Sequence, residues 1–185
     1  MKDKSFFIKN IPNALTVFRI VLTPIICVLM FSDTKITRIF AVIIAFIASI
    51  TDFFDGRIAR KYNICSAFGR CMDPIADKTL VMALIVMLIY LKKAFVFPCI
   101  AILFREFVVS GIREFVAKEK QIVIKVSKLS KIKTATQMFS LLFLMIFATN
   151  NFLYITGNIL LTIAAVLSLI TSVQYIKSIQ DIILR

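Results

Sequence analysis

Six apolar stretches, each roughly long enough to cross a bilayer as a helix, follow one another with only short polar segments between them. They run Ala14–Phe31, Ile39–Phe54, Ile75–Leu91, Ala94–Val116, Thr134–Thr149 and Phe152–Val173. A water-soluble domain usually keeps about half its residues apolar and about a quarter charged. Here 60% are hydrophobic and 18% charged, so the chain cannot hide its apolar residues in a core of its own. Intrinsic disorder is excluded, because 18 Phe and abundant Ile, Leu and Val would collapse. The expected fold is all-α: a polytopic integral membrane protein with six transmembrane helices. No internal repeat, low-complexity tract or Gly/Ser linker interrupts the 185 residues, so one membrane domain over 1–185 is expected. A signal peptide is not expected, because the first apolar run carries Arg19 and Pro24 and lacks a small-residue cleavage site.

Charge sets the topology. The chain has 23 Lys and Arg against 10 Asp and Glu, a net charge of +13. With the N-terminus inside, the tails and the segments 57–78 and 118–133 hold 16 basic residues and the outer loops hold 4. That bias predicts both termini in the cytoplasm. The expected partner of so basic and apolar a chain is lipid, not nucleic acid. Pro12 and Asn13 precede the first run, and Phe6, Phe7 and Ile8 suggest a short amphipathic helix lying at the membrane interface. With no His in the chain, a His-based catalytic triad and a His-ligated zinc site are excluded. Cys27, Cys65, Cys71 and Cys99 show no metal-ligand spacing and are read as free thiols.

Four of the ten acids fall within 26 residues: Asp52, Asp55, Asp73 and Asp77. An Asp at the centre of a membrane helix costs about 2.5–3.5 kcal/mol, so such a cluster needs compensation. Asp52 and Asp55 are three apart, and Gly69, Asp73 and Asp77 repeat every four, so each set lies along one helical face. Carboxylates gathered this closely repel one another unless cations sit between them. Hard divalent ions that take oxygen ligands, Mg²⁺ or Mn²⁺, suit such a site, and two ions sharing bridging carboxylates fit four Asp. Gly56, Ala59 and Gly69 clear space beside the acids, and Arg60 offers a planar fork suited to a diphosphate. Acids, small residues and an Arg together describe metal-assisted phosphoryl transfer. The simpler reading, membrane-edge acids balanced by Arg57, Arg60, Arg70 and Lys78, leaves the interleaved glycines without a purpose.

Written out, the segment is Asp52-x-x-Asp55-Gly56-x-x-Ala59-Arg60, eight residues, then Gly69-x-x-x-Asp73-x-x-x-Asp77. This resembles the signature of the CDP-alcohol phosphotransferase family at all eight defined positions. The blocks Ile11-Pro12-Asn13-x-Leu15-Thr16-x-x-Arg19, Met72 to Lys78, Arg105-Glu106-Phe107-Val108-Val109-Ser110-Gly111-x-Arg113 and Lys131-Ile132-Lys133-Thr134-x-x-Gln137 are similar to its bacterial phosphatidylglycerophosphate synthase branch. Ser130 stands where that branch commonly has Gly. The resemblance implies a bacterial inner-membrane enzyme with a cytoplasmic active site, which joins CDP-diacylglycerol to glycerol 3-phosphate and releases CMP. It implies that Asp52, Asp55, Asp73 and Asp77 hold two Mg²⁺ or Mn²⁺ ions, with Asp77 also the base. It further implies that Gly56, Ala59, Arg60 and Gly69, with Asn13 and Thr16, bind the cytidine diphosphate. A homodimer is compatible with the resemblance, with no residue pattern behind it.

Arg105 and Arg113 lie eight residues apart near one helical face, and Lys131 and Lys133 flank the start of the next apolar run. Four such cations suit a second anion, and glycerol 3-phosphate supplies one. Two other readings are a snorkelling Arg pair balanced by Glu106 and Glu114, and a lysine patch on anionic lipid. Other acceptors would make the chain a phosphatidylinositol phosphate, phosphatidylserine or cardiolipin synthase. A divalent-cation transporter is the reading from outside the enzymes, and it gives Gly56, Ala59, Arg60 and Gly69 no role.

Overall fold

The computed structural model describes residues 2–62, 67–120 and 128–183; at 2–13, 52–62, 67–71, 73–74, 77, 117–120, 128 and 180–183 it describes the backbone alone. Among these residues every regular element is helical: α1 (Lys2–Ser32), α2 (Lys35–Tyr62), α3 (Ala67–Tyr90), α4 (Val96–Lys120), α5 (Lys128–Phe147) and α6 (Asn151–Ile183). Each expected apolar stretch falls on one helix, but the helices run further: α1 begins well before Ala14, α2 continues past Phe54, α3 begins before Ile75 and α6 continues past Val173. Two described segments are long and apolar enough to cross a membrane, Ala14–Ser32 and Asn151–Ile179, and Lys78–Tyr90 is a shorter apolar stretch. The separate N-terminal lead-in is instead continuous with the first span, since α1 runs unbroken from Lys2. Pro12 lacks the N–H that would bond the Ile8 carbonyl, and the helix continues past that single missing bond.

The chain forms two compact units, residues 1–87 and 88–185. In the first, α1 packs on α2. Thr16, Arg19, Thr23, Ile26 and Met30 are buried along α1 with alternating spacings of three and four, a continuous seam. On α2 the buried residues Ala41, Ala45 and Ala48 are all small, which lets the two backbones approach closely. The turn between them is built by its own side chains. Asp33 takes a left-handed φ of 44° after α1, a conformation Asp tolerates. Thr34 then caps α2: its Oγ1 accepts from Thr37 N at 3.2 Å, and Thr37 Oγ1 accepts in return from Thr34 N at 3.1 Å.

In the second unit α6 packs on both α4 and α5. Before α4, the turn after α3 closes as a Schellman motif, with Lys92 N bonded to Ile89 O at 2.9 Å and Lys93 N to Leu88 O at 2.8 Å. Lys92 takes the left-handed position at φ 57°. Asn158 of α6, fully buried, holds the next residues: its Oδ1 accepts from Phe95 N at 2.6 Å, and its Nδ2 donates to Lys93 O at 3.3 Å and Tyr154 O at 2.9 Å. Phe95 also meets Tyr154 edge to face at 5.7 Å. Ten residues further on, Arg105 bonds the Ser168 carbonyl, so the partners again differ by 63 positions. An unchanged offset at two levels means that α4 and α6 run parallel and in step. Against α5, Gly157 lets α6 come close, since a Cβ there would lie 2.5 Å from Leu144 Cδ2.

Polar side chains share the buried faces of these helices, and large apolar ones cover the outside. Thr16, Arg19 and Thr23 are buried on α1 while Val17, Phe18, Val21, Ile25 and Val28 face outward. On α6, Asn158, Ser168, Thr171 and Ser172 are buried while Ile159, Ile163, Val166, Leu169 and Ile170 are exposed. An outer surface of this kind belongs in hydrocarbon. Cys27 and Cys99 are free thiols, as expected. Asn158→Ala removes the partner of Phe95 N and is expected to cost about 1–3 kcal/mol. Thermal or denaturant unfolding of the purified protein in detergent measures it, and an unchanged midpoint would refute the role.

Candidate functional site

The acidic motif occupies two helix ends. Asp52 and Asp55, with Gly56, Ala59 and Arg60, lie on the C-terminal part of α2, and Gly69, Asp73 and Asp77 lie on the N-terminal part of α3. The helical backbone therefore gives the acids the one-face spacing of each set. Their side chains lie outside the described residues, as do those of Asn13, Gly56, Ala59, Arg60 and Gly69. Among the described residues no group of three or more Asp, Glu, Cys or His is gathered as a metal site. Thr16 is buried on the α1 seam one turn before Arg19 and Thr23.

The basic cluster is described in full. Arg105 of α4 is 8% exposed and Lys133 of α5 is 3% exposed. Glu106 joins them: its Oε1 accepts from Arg105 Nη1 at 3.2 Å and from Lys133 Nζ. Arg105 also donates Nε to Ser172 Oγ at 2.8 Å and to Ser168 O at 3.2 Å, and Nη2 to Thr171 Oγ1 at 3.3 Å. Arg113, two turns along α4, is exposed and places its guanidinium 5.6 Å from the centre of the Tyr175 ring. Lys131 is exposed. Of the four cations read from the sequence, the structure thus brings Arg105 and Lys133 together through one carboxylate, keeps Arg113 on Tyr175, and leaves Lys131 at the surface.

Lys133 stands just before the stretch Thr134–Thr149. Burial pulls its ammonium below the ordinary lysine value, Glu106 opposes this by charge and hydrogen bond, and Arg105 and Arg113 add to the lowering. Two cations and one carboxylate leave a net positive, partly dehydrated site, and such a site favours an anion with several oxygens. Ser130 lies inside the first turns of α5, where its carbonyl accepts from Thr134 Oγ1 at 3.0 Å. A helix, not a turn, fills the place where the related branch has Gly.

The sequence reading treated Glu106 as a counter-charge and passed over Ser168, Thr171 and Ser172. Their signal was three hydroxyls at spacings of three and four in an otherwise aliphatic run. Gln137, one turn after Lys133, is also buried, and its Oε1 has no hydrogen-bond partner among the described residues. Glu106→Gln removes the charge that holds Lys133 up and leaves only a neutral acceptor, so its titration is expected to fall further. The folded chain already holds this proton less tightly than the unfolded one, so the burial cost of Lys133 is relieved as pH rises towards the unfolded value. Anion binding that needs the charged lysine should then fail at a lower pH in the variant. A pH series of phosphate-induced melting shifts checks this, and coincident profiles for the two proteins would overturn it.

Residues 9–173 match the family model described as CDP-alcohol phosphatidyltransferase. A Rickettsia typhi protein named CDP-diacylglycerol–glycerol-3-phosphate 3-phosphatidyltransferase is 45% identical over 173 residues, covering 92% of this chain and 97% of its own. A Rickettsia felis protein of the same name is 44% identical over 173 residues, with 92% and 95% covered. One from Haemophilus influenzae, also so named, is 36% identical over 171 residues, with 91% and 92% covered.

Proposed function

The chain belongs to the CDP-alcohol phosphatidyltransferase family, and from that premise we propose that it transfers the phosphatidyl group of CDP-diacylglycerol to glycerol 3-phosphate. The products are phosphatidylglycerol phosphate and CMP. The observation that carries the choice of acceptor is the buried Arg105–Glu106–Lys133 cluster, a cationic site that an uncharged acceptor would not require. The relatives that span nearly the whole chain are named for this acceptor.

In this reading all six helices cross the inner membrane of a bacterium as one domain, with both termini and the active site in the cytoplasm. The donor set fits hard divalent ions, because four carboxylates on two helix ends offer only oxygen ligands. Asp52, Asp55, Asp73 and Asp77 would hold two Mg²⁺ or Mn²⁺ ions. Bound there, such ions neutralise the diphosphate and the charge that develops on it.

The residues of the chain do the remaining work. Arg60, with the space left by Gly56, Ala59 and Gly69 and with Asn13 and Thr16, orients the cytidine diphosphate. Arg105 and Lys133, supported by Arg113 and Lys131, hold the phosphate of the acceptor. Asp77 takes the proton of the acceptor's primary hydroxyl, whose oxygen forms a bond to the phosphorus nearer the lipid. The bond from that phosphorus to the bridging oxygen breaks, and CMP leaves with that oxygen. A carboxylate of ordinary pKa near 4 is a weak base for an alcohol, so orientation must supply much of the acceleration.

The direct test gives the purified protein CDP-diacylglycerol and Mg²⁺ or Mn²⁺ with glycerol 3-phosphate, serine or inositol phosphate, and measures CMP. Release is expected with glycerol 3-phosphate alone, and release with another acceptor instead would move the chain to that branch. Asp77→Asn is expected to reduce turnover by at least about a hundredfold. Wild-type CMP release by that variant would end its assignment as base.

A further inference from the structure

Arg105 presents one edge of its guanidinium to α6, and that edge is fully matched. Nε–H reaches Ser172 Oγ at 2.8 Å and Ser168 O at 3.2 Å, while Nη2 reaches Thr171 Oγ1 at 3.3 Å. Both hydroxyls give their own hydrogen to the same carbonyl, Thr171 Oγ1 to Ser168 O at 2.9 Å and Ser172 Oγ to Ser168 O at 2.8 Å. A hydroxyl has one hydrogen, so each can meet Arg105 only through a lone pair. The Ser168 carbonyl thereby fixes two rotors as acceptors before any ligand arrives.

The outer part of the guanidinium is left partly open. Nη1 bonds Glu106 at 3.2 Å, so among the described residues three of the five N–H groups of the arginine are engaged and one remains on each terminal nitrogen. Two donors on a planar fork suit two oxygens of one phosphate. Most hydroxyls in these helices only bond back to their own chain, as Thr23 does to Arg19 O at 2.9 Å and Thr162 to Asn158 O at 2.8 Å. Thr171 and Ser172 do this and also hold a cation from another helix.

We infer that Ser168, Thr171 and Ser172 form a positioning shelf on α6 that sets the plane of Arg105 for the phosphate of the acceptor substrate. The inference rests on the reading of Arg105 as part of that phosphate site. These three are positioning residues acting through Arg105. The shelf works because α4 and α6 run in step, with Phe95 on Asn158 and Arg105 on Ser168 at the same offset.

Two readouts test it on the full chain in detergent: steady-state CMP release, and the melting shift produced by inorganic phosphate. Ser172→Ala combined with Thr171→Val is expected to raise KM for glycerol 3-phosphate by about tenfold or more. KM for CDP-diacylglycerol should stay within about twofold, and the phosphate-induced melting shift should be lost. Ser172→Thr keeps the hydroxyl and should retain the wild-type acceptor KM. If the double variant does not fold, Ser172→Ala alone is expected to show the same one-sided rise in KM. A folded variant with an unchanged acceptor KM and an unchanged phosphate response overturns the shelf, and so does an equal rise in both KM values. A wild type that ignores glycerol 3-phosphate, yet loses its phosphate response on Ser172→Ala, sinks the acceptor reading and sustains the shelf. A wild type with neither response sinks both.

Discussion

A polar group surrounded by hydrocarbon has no water to bond, so every such group must find its partner within the protein. That constraint accounts for the two anchoring side chains of the second unit. Asn158 is fully buried and spends its carbonyl on Phe95 N and its amide on Lys93 O and Tyr154 O. Arg105 distributes its donors over two hydroxyls, one backbone carbonyl and one carboxylate. The outward residues of the same helices, Phe97 and Phe104 on α4 and Ile159 and Ile163 on α6, are large and apolar. Apolar contact with lipid holds a helix in the membrane but does not choose its partner or register. The polar interior does that.

The consequence is a helix pair pinned at two levels. The level at Asn158 belongs to the turn before α4, and the level at Ser168 belongs to Arg105. Ten helical residues rise about 15 Å, so two fixed points at that separation define both the direction and the phase of α4 against α6. A slip by one residue would break both sets of bonds together. Register here is therefore specified by hydrogen bonds, much as a polar residue in a coiled-coil seam specifies alignment at some cost in stability.

The sequence made the helices and the acidic motif legible, because apolar length and Asp spacing are both visible along the chain. Asp52, Asp55, Asp73 and Asp77 attract notice because charge is costly in an apolar run. Thr171 and Ser172 do not, because a hydroxyl in a helix can satisfy itself on a carbonyl one turn back and so carries no such penalty. Lys131 and Lys133 look equivalent in sequence, yet one is exposed and the other buried. The difference is helix phase, which depends on the placement of α5 against α6. Gly111 and Gly157 are likewise indistinguishable in sequence. A Cβ at Gly111 would meet nothing within 4 Å, whereas one at Gly157 would run into Leu144.

A carboxylate inside the site proposed for the acceptor phosphate looks self-defeating, but the electrostatics argue otherwise. Without Glu106, Lys133 would sit buried beside Arg105 and within the influence of Arg113, and each of those factors pushes it towards its neutral form. A neutral lysine attracts no phosphate. Glu106 cancels one of the two buried positive charges and opposes the lowering of Lys133, with a net charge that still favours an anion. It also accepts from both cations through one oxygen, which draws α4 and α5 to a common point. The carboxylate therefore gives up some electrostatic attraction in exchange for a lysine held closer to its ordinary titration and an arginine that stays in place. On that view, binding the incoming phosphate requires no refolding of the cluster, only use of the donors that Arg105 and Lys133 have left.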